Sequence, residues 1–209
     1  MTTSRSNYLL TIDAGTSGCK SIIINNFGQP LSFSFNKYSI LNPLTGFFEQ
    51  NLHKLWEVTC KTIKEAISMA KIKSDNIACI GITGQGTNVI CLDKNGNIIR
   101  PAISYLDVRA KKLLDKLIKN YGYIDYSARK TSPNLLWLKE NEQLNYKKIQ
   151  SVLDTKEFLG YKFTNNVTHD SWVKKGQWID FYASLGFPRE WFGVVHEYTK
   201  PMGYVSKRR

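Results

Sequence analysis

A chain of 209 residues with 42% hydrophobic and 22% charged positions can bury a sizeable core, which excludes disorder as its main state. The formal net charge of +12 is spread along the chain, with no long uninterrupted basic run apart from Lys207-Arg208-Arg209. A lysine-rich solvated surface accounts for it, and with no RNP-like or OB-like pattern a nucleic-acid partner is disfavoured. Met1–Asn7 is polar and the apolar run after it is too short for a signal peptide. No apolar stretch approaches a membrane span. The four cysteines, Cys19, Cys60, Cys79 and Cys91, form no CxxC, and no His stands at zinc-ligand spacing. Cys19, Cys79 and Cys91 lie in apolar runs, so buried free thiols in a reducing cytoplasm are expected, with no membrane association.

In chain order, Tyr8–Ile12 reads as a short buried strand. Asp13-Ala14-Gly15-Thr16-Ser17-Gly18 is a turn whose two glycines can take positive φ. Cys19–Ile24 and Leu31–Tyr38 read as strands joined by the turn Asn25-Asn26-Phe27-Gly28. Asn51 caps a helix to about Ala70, with Leu52, Leu55, Trp56, Thr59, Ile63, Ala66, Ile67 and Ala70 on one face. Ile77–Thr83 and Val89–Leu92 are strands, followed by the turn Asp93-Lys94-Asn95-Gly96 and a short strand within Ile98–Ile103. Helices are expected at about Arg109–Asn120 and Ser132–Glu140, and a short strand at Ser151–Leu153. Beyond Gly160 the periodicity loosens. The aromatic residues there, Trp172, Trp178, Tyr182, Trp191 and Phe192, are candidates for an exposed apolar patch. His53, His169 and His196 lack partners at ligand spacing and read as structural or solvated.

Three segments carry candidate chemistry. In Asp13–Gly18 small residues let backbone N–H groups approach a phosphate, Thr16 and Ser17 add hydroxyls, and Asp13 can hold a magnesium ion through water. A tight hairpin with an Asx-type turn explains the same residues. In Gly81-Ile82-Thr83-Gly84-Gln85-Gly86-Thr87-Asn88, Gln85 can both donate to and accept from a sugar hydroxyl, and a plain strand-ending loop fits equally well. In Arg100–Arg109, Tyr105 can pack on the C–H face of a sugar. Asp107 either accepts hydroxyl bonds or forms a local ion pair with Arg109 at a helix start.

Taken together and in this order, these segments resemble the FGGY carbohydrate kinases. The matching motifs are Asp13–Ser17, Phe48-Glu49-Gln50-Asn51 with Trp56, Gly81–Gln85 and Asp93–Arg109. Leu135–Leu138, Asp154–Leu159 and Asp170-Ser171 follow. The resemblance implies an α/β, actin-like ATPase (ribonuclease H-like) lobe: a mixed sheet with an antiparallel β-meander, flanked by helices. One domain over 1–209 is expected, with its core in 7–110 and a helical, sugar-side part in 111–209. It also implies ATP-dependent phosphorylation of a ketose or polyol hydroxyl. Asp13, Gly15, Thr16 and Ser17 would face ATP and Mg2+, the metal being held by Asp13 through water. Gln85, Gly86, Thr87, Tyr105 and Asp107 would line the sugar pocket.

The family's general-base Asp motif and its ATP-binding lobe have no counterpart before Arg209, so no catalytic residue is assigned and ATP is not firmly expected for the chain alone. The implied partners are a sugar or polyol and a separate C-terminal lobe, with homo-oligomer formation open. A non-catalytic sugar-binding or regulatory domain is the alternative reading. Departures from the family pattern are Gly86-Thr87, where glycerol kinases carry Arg-Glu, Tyr105 in place of Trp, and Asn134 in place of Lys.

Overall fold

The computed structural model describes residues 8–124, 126–170, 177–197 and 199–205. These divide between two compact units, one of residues 1–40 and 51–85, the other of 41–50 and 86–209. Residues 41–50 thus join the later unit.

The first unit holds strands β1 (Tyr8–Ala14), β2 (Gly18–Asn25) and β3 (Pro30–Lys37), helix α1 (Leu52–Ala70) and strand β6 (Ile77–Gly84). The sheet order is β3-β2-β1-β6, with β1–β2 and β2–β3 antiparallel and β1–β6 parallel. This is the expected βββαβ order and mixed sheet. Alternation puts Leu10, Ile12 and Ala14 of β1 and Cys19, Ser21 and Ile23 of β2 on the buried face.

Helix α1 packs on this sheet with Leu52, Leu55, Val58, Thr59, Thr62 and Ala66 buried. Its first turn is capped by the Asn51 Oδ1, which accepts from the Lys54 N–H at 3.0 Å. It ends where Lys71 takes a left-handed conformation. Strand β3 meets the helix with polar groups: Ser32 donates to the Ala66 carbonyl at 2.7 Å, and Ser34 and Asn36 donate to Glu65 at 2.6 Å.

Two expectations are corrected here. Cys79 is exposed: on β6 it pairs with Leu9, itself half-exposed, on the sheet face away from the Leu10 and Ile12 side chains. Gly15 and Gly18 do not adopt positive φ. Gly18 is instead required by close approach, since a Cβ there would lie 2.5 Å from the Asn36 carbonyl oxygen and 2.6 Å from the Phe35 ring.

The two-residue strand β4 (Ile40–Leu41) precedes the elements of the second unit. There β5 (Glu49–Gln50) pairs antiparallel with β8 (Ala102–Ile103), and β7 (Ile90–Leu92) with β9 (Ser151–Leu153). Strands β10 (Thr168–Asp170) and β11 (Val194–His196) run parallel. The helices are α2 (Lys111–Tyr121), α3 (Tyr126–Asn141), α4 (Gln143–Tyr146), α5 (Thr155–Thr164) and α6 (Gln177–Ser184). Helix α3 begins six residues before Ser132 and continues through Pro133, which removes an intrahelical donor. Ala128, Leu135 and Leu138 are all buried in the unit's core, and this packing outweighs the proline.

Among the described residues the expected C-terminal aromatic patch is not exposed. Trp178, Tyr182, Trp191 and Phe192 join the same core, with Tyr182 and Phe192 stacked at 4.6 Å. Trp172 lies outside the described residues, as does Ser171. No helix among the described residues is long and apolar enough to cross a membrane.

Candidate functional site

In the first unit, β1 and β6 run parallel as neighbours, with Asp13 opposite Thr83 and Ala14 opposite Gly84. The loops leaving their carboxyl ends are therefore adjacent, the place where open α/β sheets bind ligands. The Gln85 N–H donates to the Ala14 carbonyl at 2.9 Å, which joins the two loops directly. The turn after β1 closes through the Gly15 N–H on the Gly18 carbonyl at 3.0 Å, and the Tyr38 hydroxyl donates to the Gly15 carbonyl at 2.5 Å. Burial raises the Tyr38 phenol well above its ordinary value, so it remains a donor at neutral pH.

Asp13 stays partly exposed and forms a 3.2 Å ion pair with Lys20 across the β1–β2 pair. Ser17 is exposed, and Gly15 and Thr16 are partly so. Gln85 is 8% exposed, and neither its amide nitrogen nor its amide oxygen has a partner among the described residues. A buried amide without partners is costly unless a ligand or water completes it.

In the second unit, Gly86-Thr87-Asn88 is held from behind by the carboxylate of Asp154. Asp154 Oδ2 accepts the Thr87 N–H at 2.5 Å and Oδ1 the Asn88 N–H at 3.0 Å. The same residue caps α5, accepting the Thr155 N–H at 2.7 Å. The Asn88 side chain donates to the Thr155 hydroxyl at 2.9 Å and accepts the Tyr105 N–H at 2.9 Å. Lys130 of α3 donates to the Tyr105 carbonyl at 2.9 Å, and the Asn134 amide donates to the Lys130 carbonyl.

One hydrogen-bonded chain thus links loop 86–88, Tyr105, α3 and the start of α5. Two atoms on it are buried without partners among the described residues, the Thr87 hydroxyl and the Asn134 carbonyl oxygen. Burial and the neighbouring Glu157 carboxylate push the Asp154 carboxyl up to about 7, against the pull of its three backbone donors.

Asp107 belongs to a different arrangement. Its Oδ1 accepts the Arg109 N–H and Nε, and its Oδ2 accepts the Phe48 N–H at 2.7 Å and the Arg109 guanidinium at 2.8 Å. A carboxylate offers about four acceptor positions, and all are taken. The expectation that Asp107 binds sugar hydroxyls is corrected on that ground: it is the local ion pair. Arg109 also binds Glu49 at 2.8 Å, Glu49 bridges to Arg100, and Arg100 reaches Glu142 at 3.0 Å. The Arg109 guanidinium lies 4.1 Å from the Phe47 ring centre and 4.9 Å from that of Trp137.

Of the expected site residues, Asp13, Gly15, Thr16, Ser17 and Gln85 gather at one end of the first sheet. Gly86, Thr87 and Tyr105 gather in the second unit. Asp154, Asn88 and Lys130 are additions that sequence reasoning does not single out. The signal for Asp154 is a lone acid directly after the apolar run Val152-Leu153 and before a Thr, a strand end running into a helix cap.

Among the described residues no group of three or more His, Cys, Asp or Glu side chains could hold a metal ion. Magnesium keeps most of its waters and needs only one or two carboxylates beside phosphates, so Asp13 alone fits a water-mediated contact.

Residues 8–184 match the N-terminal domain of the FGGY family of carbohydrate kinases. The chain is 30% identical over 168 residues to the xylulose kinase of Staphylococcus xylosus, covering 77% of this chain and 34% of that protein. It is 28% identical over 180 residues to the glycerol kinase of Mycoplasmopsis pulmonis, covering 78% and 35%. The crystal structure of a xylulose kinase from Brucella ovis superposes with a TM-score of 0.81 at 26% identity, over 91% of this chain and 43% of that one. The chain therefore spans between a third and a half of the length of these relatives. With this match over most of its length and the actin-like fold of its structural neighbours, the chain belongs to the FGGY family of carbohydrate kinases, as its N-terminal domain.

Proposed function

We propose that the chain supplies the sugar-binding lobe of an ATP-dependent kinase that phosphorylates a ketose or polyol hydroxyl. The observation that carries this reading is that each unit holds buried hydrogen-bonding atoms without protein partners among the described residues. Among them are the Gln85 amide in the first unit, and the Thr87 hydroxyl and Asn134 carbonyl oxygen in the second. Buried polar atoms are paired almost everywhere in native proteins, and a polyhydroxylated ligand supplies both donors and acceptors. Tyr105 offers a ring for the C–H face of the sugar, and Gly86 leaves room for close approach.

On the phosphate side, Asp13, Gly15, Thr16 and Ser17 would face the nucleotide, with Mg2+ held by Asp13 through water. ATP supplies the transferred phosphoryl group when bound. The residues of this chain orient the acceptor hydroxyl and keep the Asp13 carboxylate near the metal. The general base that removes the hydroxyl proton would come from the other lobe.

Calorimetry of the chain against D-xylulose, D-ribulose and glycerol tests the sugar site. A pentulose should bind and glycerol should not, because Gly86-Thr87 lack the charged groups that stand there in glycerol kinases. Binding of none of the three sinks the reading. A turnover assay with ATP and the bound sugar tests the division of labour: robust phosphorylation by the chain alone would show that it carries its own base.

A further inference from the structure

Thr87 has φ of +63°, one of three non-glycine residues among those described with positive φ. A β-branched side chain rarely adopts that region, and an ordinary turn would place glycine there. Gly86 stands next to it, so glycine is already used in the loop, yet Thr occupies the strained position. Its hydroxyl is buried and bonded to nothing among the described residues. Strain of this kind persists only where the surroundings over-determine it, and here the determining group is identifiable. Asp154 takes the N–H groups of both Thr87 and Asn88, one on each carboxylate oxygen.

Resting on the sugar-site reading above, we propose that Asp154 is the positioning residue of the substrate loop. By holding the Thr87 and Asn88 N–H groups it locks Thr87 in the left-handed region and so presents the Thr87 hydroxyl to a hydroxyl of the substrate. Asp154 itself need not touch the ligand. Its hold on the three backbone donors is strongest when the carboxylate is ionised, since a protonated oxygen becomes a donor and a poorer acceptor. The charged groups around it are Glu157 on α5 and, through Glu157, Lys156 at 3.7 Å and His169 of β10 at 3.9 Å. Loop 86–88 brings no charge of its own.

The test is calorimetry of the 209-residue chain with D-xylulose and D-ribulose. Wild type is compared with Asp154→Asn, Thr87→Ala and Thr87→Ser, each checked for folding by circular dichroism. Asp154→Asn and Thr87→Ala should each weaken binding about tenfold, the scale of one hydrogen bond, while Thr87→Ser should bind like wild type. Wild-type affinity should fall as the pH drops through the Asp154 titration at about 7, and Asp154→Asn should show no such slope, a difference that a purely structural role would not produce. If wild type binds a pentulose and Asp154→Asn binds it equally well with the same pH slope, the inference is overturned while the sugar site stands. If wild type binds neither pentulose, the sugar site fails and the inference falls with it. Should Asp154→Asn not fold, the Thr87 pair and the wild-type pH profile decide: equal binding by Thr87→Ala, or a flat wild-type profile, overturns it.

Discussion

Asp13 of the first unit and the pair Asp107 and Asp154 of the second are used in opposite ways. In the first unit Asp13 ends a strand in partial contact with solvent and holds one exposed lysine. In the second unit Asp107 and Asp154 are buried, and backbone N–H groups and an arginine occupy their oxygens. An acid open to solvent can exchange its lysine for a metal-bound water at little cost. An acid whose acceptor positions are filled serves the architecture. The contrast separates residues that can meet a ligand from residues that position them, although both kinds sit in similar Asp-containing segments of the sequence.

The largest effect that should follow is at Arg109. Its guanidinium is 1% exposed, and it neutralises both Asp107 and Glu49. Arg109→Ala would leave two buried carboxylates short of a partner, and breaking a buried pair from one side costs about 3–5 kcal/mol. Arg109→Lys should recover little of this, because an ammonium cannot reproduce the forked contacts or the stacking between Phe47 and Trp137. Urea unfolding checks both, and a loss below about 1 kcal/mol for Arg109→Ala would erase the distinction between filled and open acids.

Why the sequence leaves both Asp13 and Asp107 open to two readings has a physical answer. The strands and α1 are legible because burial repeats every second residue in β1 and β2 and at helical spacing in α1. The Asp13 turn is local, so its residues appear consecutively. The partners of Asp107 are also local in part, since Arg109 is two residues away. Its saturation depends, however, on the Phe48 N–H, 59 residues distant. Asp154 meets Thr87 across 67 residues. Periodicity carries no information about such pairings. Helix α5 is hard to read for a related reason: it buries Thr155, Glu157, Phe158, Leu159 and Gly160, so no single apolar stripe stands out.

Asp154 should reveal itself through the pH dependence of stability. Its carboxyl is raised in the folded state to about 7 from an ordinary value of 3.8, by burial first and Glu157 second. Below both values folded and unfolded chains are protonated alike. Between them the unfolded chain loses this proton while the folded chain keeps it, so the group's contribution to stability declines as pH rises from about 4 to about 7. Melting temperatures of wild type relative to Asp154→Asn should therefore fall across that window and level off above it. A difference that rises with pH would mean that the three N–H donors outweigh desolvation, and that the acid is stabilised as an anion.

Thr87→Gly should then separate stability from function within one loop. Relieving a left-handed β-branched residue should raise stability by about 1 kcal/mol, offset in part by the greater entropy of glycine in the unfolded chain. Pentulose binding should weaken at the same time, because the hydroxyl is gone. A variant that loses stability would indicate that the Thr87 side chain is held by packing alone.

The smallest effect belongs to the open acid. Asp13→Asn and Lys20→Ala each remove one partner of an ion pair in which both side chains are 41–50% exposed, and pairs of this kind contribute about 0–1 kcal/mol. Neither change should move the unfolding free energy by more than a few tenths of a kcal/mol, and added salt should shrink even that difference. Their functional signatures should diverge. In a complete kinase assembled with a second lobe, the role proposed for Asp13 at the metal requires that Asp13→Asn lower kcat with little change in the sugar KM. On the same proposal Lys20→Ala should leave both near wild type, since the lysine contact with Asp13 is exposed and exchangeable. If Lys20→Ala instead reduces kcat to the same extent that Asp13→Asn does, the ion pair is part of the working site, and Asp13 is held by its partner in the way that Asp107 is.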